Sequence, residues 1–466
     1  MALTQPRARI HRFNEWLQTP EDGAGLALFR VLFGLAMAWD AARFLANDWV
    51  WSHYLKYDFD FKYTWFEWVQ PFSEAGIINV YIVMIIVGIF MAMGFFYRAS
   101  AVVYFLAHTY TFLLSATHYL NHHYLISLVA FLMIFMPADR FFSVDALRRP
   151  ELRSLATPRW GRFTLQAQVA IVYFFGAVAK MNYDWLHGVP IGQWMQNSAH
   201  RNPWAADVIA APEMVPVILW GGLLFDLLIV PALLWRRTRV LAIIVSVMFH
   251  GGNAILFNIG VFPWMMLGAT TLFFAEDWPR KVPGLRRVLA KWEVQTALPS
   301  TPLRWVWAPI CAWMAIQIAM PLRHHLYPGD VAWTEEGHYY SWRMKLRSKR
   351  GFVTFRVRDP QTNEEWIVRP QRHLGGRQYR QMVGRPELML QYAHHIADVE
   401  SERLGRRVEV RADAFTSLNY RAPQRHVDPN VDLAAEQPSL LAYDWILPFE
   451  WTEPPQPEPF QPDADD

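Results

Sequence analysis

A chain with repeated apolar blocks of bilayer length has few folds open to it, because lipid offers no partner to an unpaired backbone group and a spanning helix satisfies its own. Here the blocks run over residues 24–45, 76–96, 100–117, 123–137, 163–181, 213–235, 240–256, 258–274 and 305–321. A membrane helix needs ~20 residues, fewer where the bilayer thins to meet it. Of 466 residues, 53% are hydrophobic and 15% aromatic, with 23 Trp, a composition that a soluble enzyme of this length seldom has.

Charge orients the blocks. Lys/Arg-rich connections fall at Arg140 to Arg162, Arg236 to Arg239 and Arg280 to Arg304, with a smaller one at Arg98. With the N-terminus inside, nine crossings place all of them inside, as the distribution of basic loops requires. Reading 240–274 as one span would put Arg280–Arg304 outside. The expected fold is an all-α polytopic membrane bundle of about nine transmembrane helices over residues 1–321, with the C-terminal region outside. Arg7, Arg9 and Arg12 precede the first block in the manner of a signal peptide. Arg30 interrupts that block and Asp40 follows it, so it reads as a retained helix. A single cysteine, Cys311, excludes an intrachain disulfide, and no Asn-x-Ser/Thr acceptor occurs. Both features favour a bacterial cytoplasmic (inner) membrane over a eukaryotic secretory one.

Two connecting segments are rich in aromatics. Asp48 to Phe72 has the composition of an interfacial loop, and residues 182–212 carry Trp185, Trp194 and Trp204. Beyond residue 322 the pattern becomes that of a soluble domain. Val353, Phe355 and Val357 alternate with Thr354, Arg356 and Arg358, and Val408 to Arg411 repeats the alternation, as strands do. Leu388, Tyr392, Ile396 and Val399 recur at helical spacing. A small α+β extramembrane domain is expected over 322–450, followed by an acidic, Pro-rich tail at 451–466 that is expected to be disordered. A net charge of +3 and the lack of a phosphate loop or cysteine metal motif leave a nucleic-acid partner unsupported.

The polar residues of the blocks converge. In a nine-crossing bundle Asn121, His122 and His123 open the fourth span, Lys180 closes the fifth, and His250 and Asn253 close the seventh, all at one outer depth. Intramembrane ionisable groups usually face a bundle interior and mark function. A lysine amine that has shed its proton can act as a general base, and burial favours that form. Histidine and asparagine hold the oxygens of a bound ring. Each has a plainer reading: Lys180 snorkelling to water, a histidine paired between helices, Asn253 as helix glue. His122 and His123 point apart on a helix and lack nearby carboxylates, so no metal is expected. Asp226 is a membrane carboxylate that would need a partner, such as Arg30.

The run from Tyr173 to Trp185, Val178-Ala179-Lys180 followed by Asp184-Trp185, resembles the signature of vitamin K-dependent γ-glutamyl carboxylases. Leu28 to Gly34, Asn121 to Leu125 through Ser143 to Asp145, Gly221 to Leu227, Phe249 to Asn253, Leu256-Phe257, Ile259-Gly260 and Trp278 to Lys281 are similar too, as are Trp333-Thr334, Tyr340 to Trp342, Asn419-x-Arg421 and Asp428 to Asp432. Matches in order over about 400 residues are far more specific than one short motif. The resemblance implies an enzyme that uses reduced vitamin K, O2 and CO2. A lysine deprotonates the hydroquinone, oxygen chemistry yields a strong base, that base removes a γ-proton from a peptide glutamate, and CO2 adds. It assigns the lysine to Lys180 and places Asn121, His122 and His250, with Asn253 alongside, around the quinone head. Trp342, Asn419 and Arg421 become candidate contacts to the peptide or its glutamate. The lipid quinone would enter from the bilayer and the peptide from water.

Three departures bear on this. Animal members continue well beyond a point like Asp432, so the propeptide-docking region is expected to be reduced. His338 stands where the family has tyrosine, and Met344-Lys345 where it has Met-Met. These touch peptide selection more than quinone chemistry. Two other functions fit the same residues: a hydroquinone epoxidase with a different carbon acid or none, and a non-catalytic quinone- or lipid-binding membrane protein.

Overall fold

The computed structural model describes residues 4–257, 259–292 and 305–455. Most of the acidic tail, and part of the basic stretch ending at Arg304, lie outside these. Every apolar block is helical: Ala24–Ala46, Glu74–Met93, Tyr97–Leu113, Asn121–Phe135, Arg159–Lys180, Met214–Leu234, Arg239–Phe257, Phe262–Thr270 and Trp307–Leu322. Four are long and apolar enough to cross a membrane by length and composition: Ala24–Ala46, Glu74–Met93, Arg159–Lys180 and Met214–Leu234. Asn121–Phe135, Arg239–Ile255 and Phe262–Phe273 are apolar but shorter. Local sequence explains the lengths. The helix at Glu74 starts where the Ser73 hydroxyl accepts from Gly76 N at 3.3 Å and stops at Gly94 in the left-handed conformation (φ 65°). Pro137 ends the Asn121 helix, because the residue before a proline is driven out of the α region.

The first two long helices touch through their backbones. A Cβ at Gly34 would sit 2.6 Å from Gly88 O and Ala92 N, so any side chain there would force the helices apart. Around that contact a single core of Phe29, Met37, Tyr81, Ile126, Val169 and Phe225 joins five helices.

The C-terminal region is an antiparallel sheet under a helix, as the alternation predicts. Lys349–Arg358 pairs with Glu409–Leu418 over its whole length, Lys349 facing Leu418 and Arg358 facing Glu409. Glu365–Val368 and Gln424–Arg425 complete the order on either side. Val353, Phe355 and Val357 are fully buried against Leu388, Tyr392 and Ile396 of the Pro386–Leu404 helix. Val399 departs from its expected place on that face and is 50% exposed, while Leu404 at the end of the same helix packs against the core.

This domain does not have a core of its own. Phe61, Tyr63, Ala116 and Tyr119, from the loops between membrane helices, are buried in the same cluster. The segment 48–72 is thus divided: Trp65, Trp68 and Phe72 are exposed, while Phe61 and Tyr63 lie beneath the sheet domain. Arg30 also differs from expectation. It does not pair with Asp226; its guanidinium donates to the carbonyls of Ala138 at 2.5 Å and Ala92 at 3.2 Å, and to that of Phe142. Three helix-end and turn carbonyls need donors there, and the two terminal nitrogens of the guanidinium supply them.

Candidate active site

The stretch from Tyr173 to Trp185 ends one helix and turns under the sheet domain. Within it Tyr173, Gly176, Ala177 and Lys180 are spaced three, four and seven apart and share a face. Lys180 is 8% exposed and its Nζ donates to the Asp226 carboxylate from the neighbouring Met214–Leu234 helix. Gly176 makes that approach possible, since a Cβ there would lie 3.0 Å from Asp226 Oδ2. The ammonium also lies 5.5 Å from the Trp185 ring centroid and 3.4 Å from Gly176 O. An ammonium among aromatic and glycine neighbours, with one carboxylate, is a pair held out of water.

Next to Asp226 in the same helix, Phe225 packs edge-on to His250, 5.6 Å between ring centroids, and the Tyr173 hydroxyl shares a 2.9 Å hydrogen bond with His250 Nε2. His250 Nδ1 is buried with no protein partner. Phe262 stands between His250 and His122, 6.2 and 5.8 Å from their rings. Asn253 follows His250 by one turn and is part-buried. Asn121 Oδ1 accepts from the Tyr119 hydroxyl at 3.0 Å, and that hydroxyl accepts from Tyr340 N at 2.7 Å.

Tyr340 belongs to a loop that enters the bundle from the sheet domain. Its base is pinned by Glu335, which binds Arg347 and, at 2.8 Å, Lys349. Burial opposes the charge on Glu335, but these cations hold it well below the usual carboxylate range. Between the pins Tyr340, Trp342 and Lys345 are left-handed (φ 64°, 58° and 51°), a conformation that costs non-glycine residues energy and gathers at sites. Trp342 is 1% exposed and stacks on Tyr124 at 5.0 Å, and Met344 Cε would meet a Cβ at Gly176 at 3.6 Å. The same loop therefore reaches both the Asn121 helix and the Lys180 pair. His338, also in it, shares a 3.1 Å contact with Arg347 while its Nδ1 stays unpartnered.

Asn419 and Arg421 lie together but bind within the chain. The Arg421 guanidinium grips both oxygens of Asp184 at 2.6 and 2.7 Å and donates to Thr452 O at 2.6 Å. Asn419 Nδ2 adds a 2.6 Å bond to the same carboxylate. Burial works against the charge on Asp184, yet these donors hold it below the ordinary range.

A cavity of about 690 Å3 lies beside His122. His53, His108, His118 and His123 share its wall with Asp40, Arg43, Tyr54, Lys345 and Arg377. Lys180, Asn121, His250 and Asn253 do not line it; Phe262 stands between His122 in its wall and His250. Among the described residues no three His, Cys, Asp or Glu side chains converge as metal ligands. The sequence reading missed His53 and His118, in short helical turns, and His108, in the Tyr97–Leu113 helix, which only the fold brings together. It also missed the role of Tyr173, although the seven-residue spacing to Lys180 was a usable signal.

Residues 18–278 match the HTTM domain family, and residues 303–452 match the lumenal domain of vitamin K-dependent gamma-carboxylases. No solved structure matches the chain.

Proposed function

From the premise that this chain belongs to the vitamin K-dependent gamma-carboxylase family, by its HTTM domain and lumenal domain together, we propose that it couples oxygenation of reduced vitamin K to carboxylation of peptide glutamate with CO2. The observation that carries the reading is the buried Lys180–Asp226 pair, placed where the loop from the sheet domain enters the bundle. In surroundings of low polarity an ammonium–carboxylate pair competes with its neutral form, amine beside acid. Asp226 is then the group that takes the lysine's proton, and Lys180 the base that deprotonates a hydroxyl of the bound ring. The Trp185 ring covers the ammonium and helps keep water from it, which protects a strong base from quenching.

The cavity fits a naphthohydroquinone head. Its volume is in the usual range for a small-molecule site of ~300–1,000 Å3, and imidazole and phenol rings offer both stacking faces and acceptors. When bound, reduced vitamin K supplies the reducing equivalents for O2 and the base for the glutamate γ-carbon. His122 lines the cavity and Asn121 and His250 flank it, so these three, with Asn253, are assigned to orient the ring oxygens. Reaching Lys180 from this cavity requires passage beside Met344 and Phe262. Trp342 is assigned to the seam that the peptide meets. Nine crossings, with the N-terminus inside a bacterial inner membrane and the sheet domain outside, complete the reading.

A second reading, hydroquinone oxygenation without glutamate carboxylation, is favoured by one observation. Arg421 and Asn419, the candidate glutamate contacts, are already committed to Asp184. The deciding assay supplies purified protein with reduced vitamin K, O2, labelled bicarbonate and a short glutamate peptide, in wild type and Lys180→Ala. Epoxide and fixed label, both lost in the variant, support the first reading; epoxide alone supports the second. Epoxide that survives in Lys180→Ala refutes both.

A further inference from the structure

Two cavities meet at Tyr54. It lines the histidine-walled cavity and also a second one, of about 450 Å3, that opens among the exposed residues Asp58, Glu67 and Gln70. A continuous chain of hydrogen bonds runs from one to the other. His118, in the wall of the first, has Nδ1 3.1 Å from Ser115 Oγ. Ser115 Oγ donates to Asp60 Oδ1 at 2.9 Å, and Asp60 lines the second. The His118 ring is stacked on His53 with centroids 4.0 Å apart, which fixes its plane.

The hydroxyl of Ser115 has one proton and gives it to Asp60. Ser115 Oγ also lies 2.9 Å from Thr117 Oγ1, and the wire is set in the tautomer whose His118 Nδ1 donates to the serine oxygen and leaves Nε2 as the acceptor. That is the polarity of a wire able to take a proton at the imidazole and deliver one at the carboxylate.

We propose that His118, Ser115 and Asp60 relay protons from the histidine-lined cavity to the second cavity. The inference rests on the proposed carboxylation for the proton it moves, since R–H + CO2 → R–COO⁻ + H⁺ frees one proton for each new carboxyl group. His118 Nε2 accepts that proton and its Nδ1 proton passes to Ser115 Oγ. The serine proton passes to the Asp60 carboxylate, which releases it to water. The imidazole ends neutral with its proton on Nε2, and exchange of that tautomer back to the Nδ1–H form, with a turn of the serine hydroxyl, resets the wire. No bond to carbon is made or broken along it.

The groups facing the wire suit transit rather than storage. His53 and Tyr54 face it from the 51–55 turn, His123 from the Asn121 helix, Arg377 and Gln378 from the Gly376–Val383 helix, and Lys62 from the loop of Asp60 itself. Burial pushes Asp60 up to about 6, against its bond from Ser115 and the charge of Lys62, so it both gains and loses a proton near neutrality. Burial, with His53 and Arg377, pushes His118 well down, so the imidazole passes a proton on instead of keeping it.

The test uses the full chain in lipid nanodiscs with reduced vitamin K, O2, labelled bicarbonate and a glutamate peptide. Asp60→Asn and Ser115→Ala each remove one link and keep the surrounding packing. In weak buffer, label fixation should fall about 10²-fold in both, the low end of positioned proton-transfer effects, with the peptide KM unchanged. Added imidazole, a diffusible proton carrier, should restore most of it and leave wild type unaffected. No loss, or a loss that imidazole does not repair, overturns the relay. Wild type that fixes no label defeats the carboxylase reading instead, and infrared spectroscopy then reads the wire directly. The Asp60 carboxyl band, identified by its absence in Asp60→Asn, should titrate between about pH 5 and 8 and shift in Ser115→Ala. A band that does neither overturns the relay whatever the turnover.

Discussion

Four residues separate two ion pairs of opposite character. Lys180 and Asp184 both sit at the turn beneath the sheet domain, and each binds one oppositely charged partner from a distant segment. The Asp184 side is saturated: Arg421 contributes two bonds to the carboxylate and one to a backbone carbonyl, and Asn419 adds another. Arginine's planar fork spends its donors in fixed directions, so the pair behaves as a clasp between the bundle and the sheet domain. The Lys180 side is sparse. Lysine is a point charge with three rotatable donors, here with one carboxylate, a long contact to Gly176 O and an aromatic face. A saturated pair has nothing to give to a substrate; an undersaturated one in a dry site retains donors and a proton that can move.

The largest effect that would break this contrast is at the sparse pair. Lys180→Met should lower epoxide formation by about 10²–10⁴-fold, the scale of a lost general base, while the thermal unfolding midpoint falls less than in Arg421→Ala, because a carboxylate left alone in a dry site can take up a proton and become neutral. A variant that unfolds, or one that turns over normally, would put Lys180 in the same class as Arg421. At the clasp the expectation is reversed. Arg421→Ala strands a buried carboxylate and should cost about 3–5 kcal/mol, seen as a lower midpoint and faster proteolysis between bundle and sheet domain. Arg421→Lys should recover only part of it, because a point charge does not replace two parallel bonds.

Acid sharpens the same distinction. The pKa of Asp184 is depressed in the folded chain, so its contribution is complete above the unfolded carboxylate value of about 4 and is lost as pH falls below it. A melting series from pH 6 to about 3 should show a steeper loss in wild type than in Asp184→Asn. Smaller still, Tyr173→Phe removes the hydroxyl that His250 Nε2 shares and leaves a buried ring without a partner on either nitrogen, at about 1–3 kcal/mol by calorimetry or thermal melting. Val399→Lys, on the exposed face of its helix, should stay within about 0.5 kcal/mol.

Much of this was settled by the order of residues alone. The positions of nine apolar helices, the strand at Val353 to Val357 and the face of Leu388, Tyr392 and Ile396 follow from periodicity, a property of neighbours in the chain. So does the importance of Lys180, since a lysine at the end of a long apolar run needs a reason to be there. Partners were not settled. Asp226 was visible as a carboxylate in want of a cation, but whether Arg30 or Lys180 met it depended on which helices touch, and Gly176 decides that by letting one pair approach. Arg421 looked free to take a substrate carboxylate until the fold brought Asp184 to it across 237 residues. The histidines of the cavity come from two helices and two short turns, Tyr97–Leu113, Asn121–Phe135, 51–55 and 116–118, and gather only when these pack together. Periodic signals are local and survive in one dimension; charge pairing and cavities depend on contacts between residues far apart in the chain, and only packing chooses those.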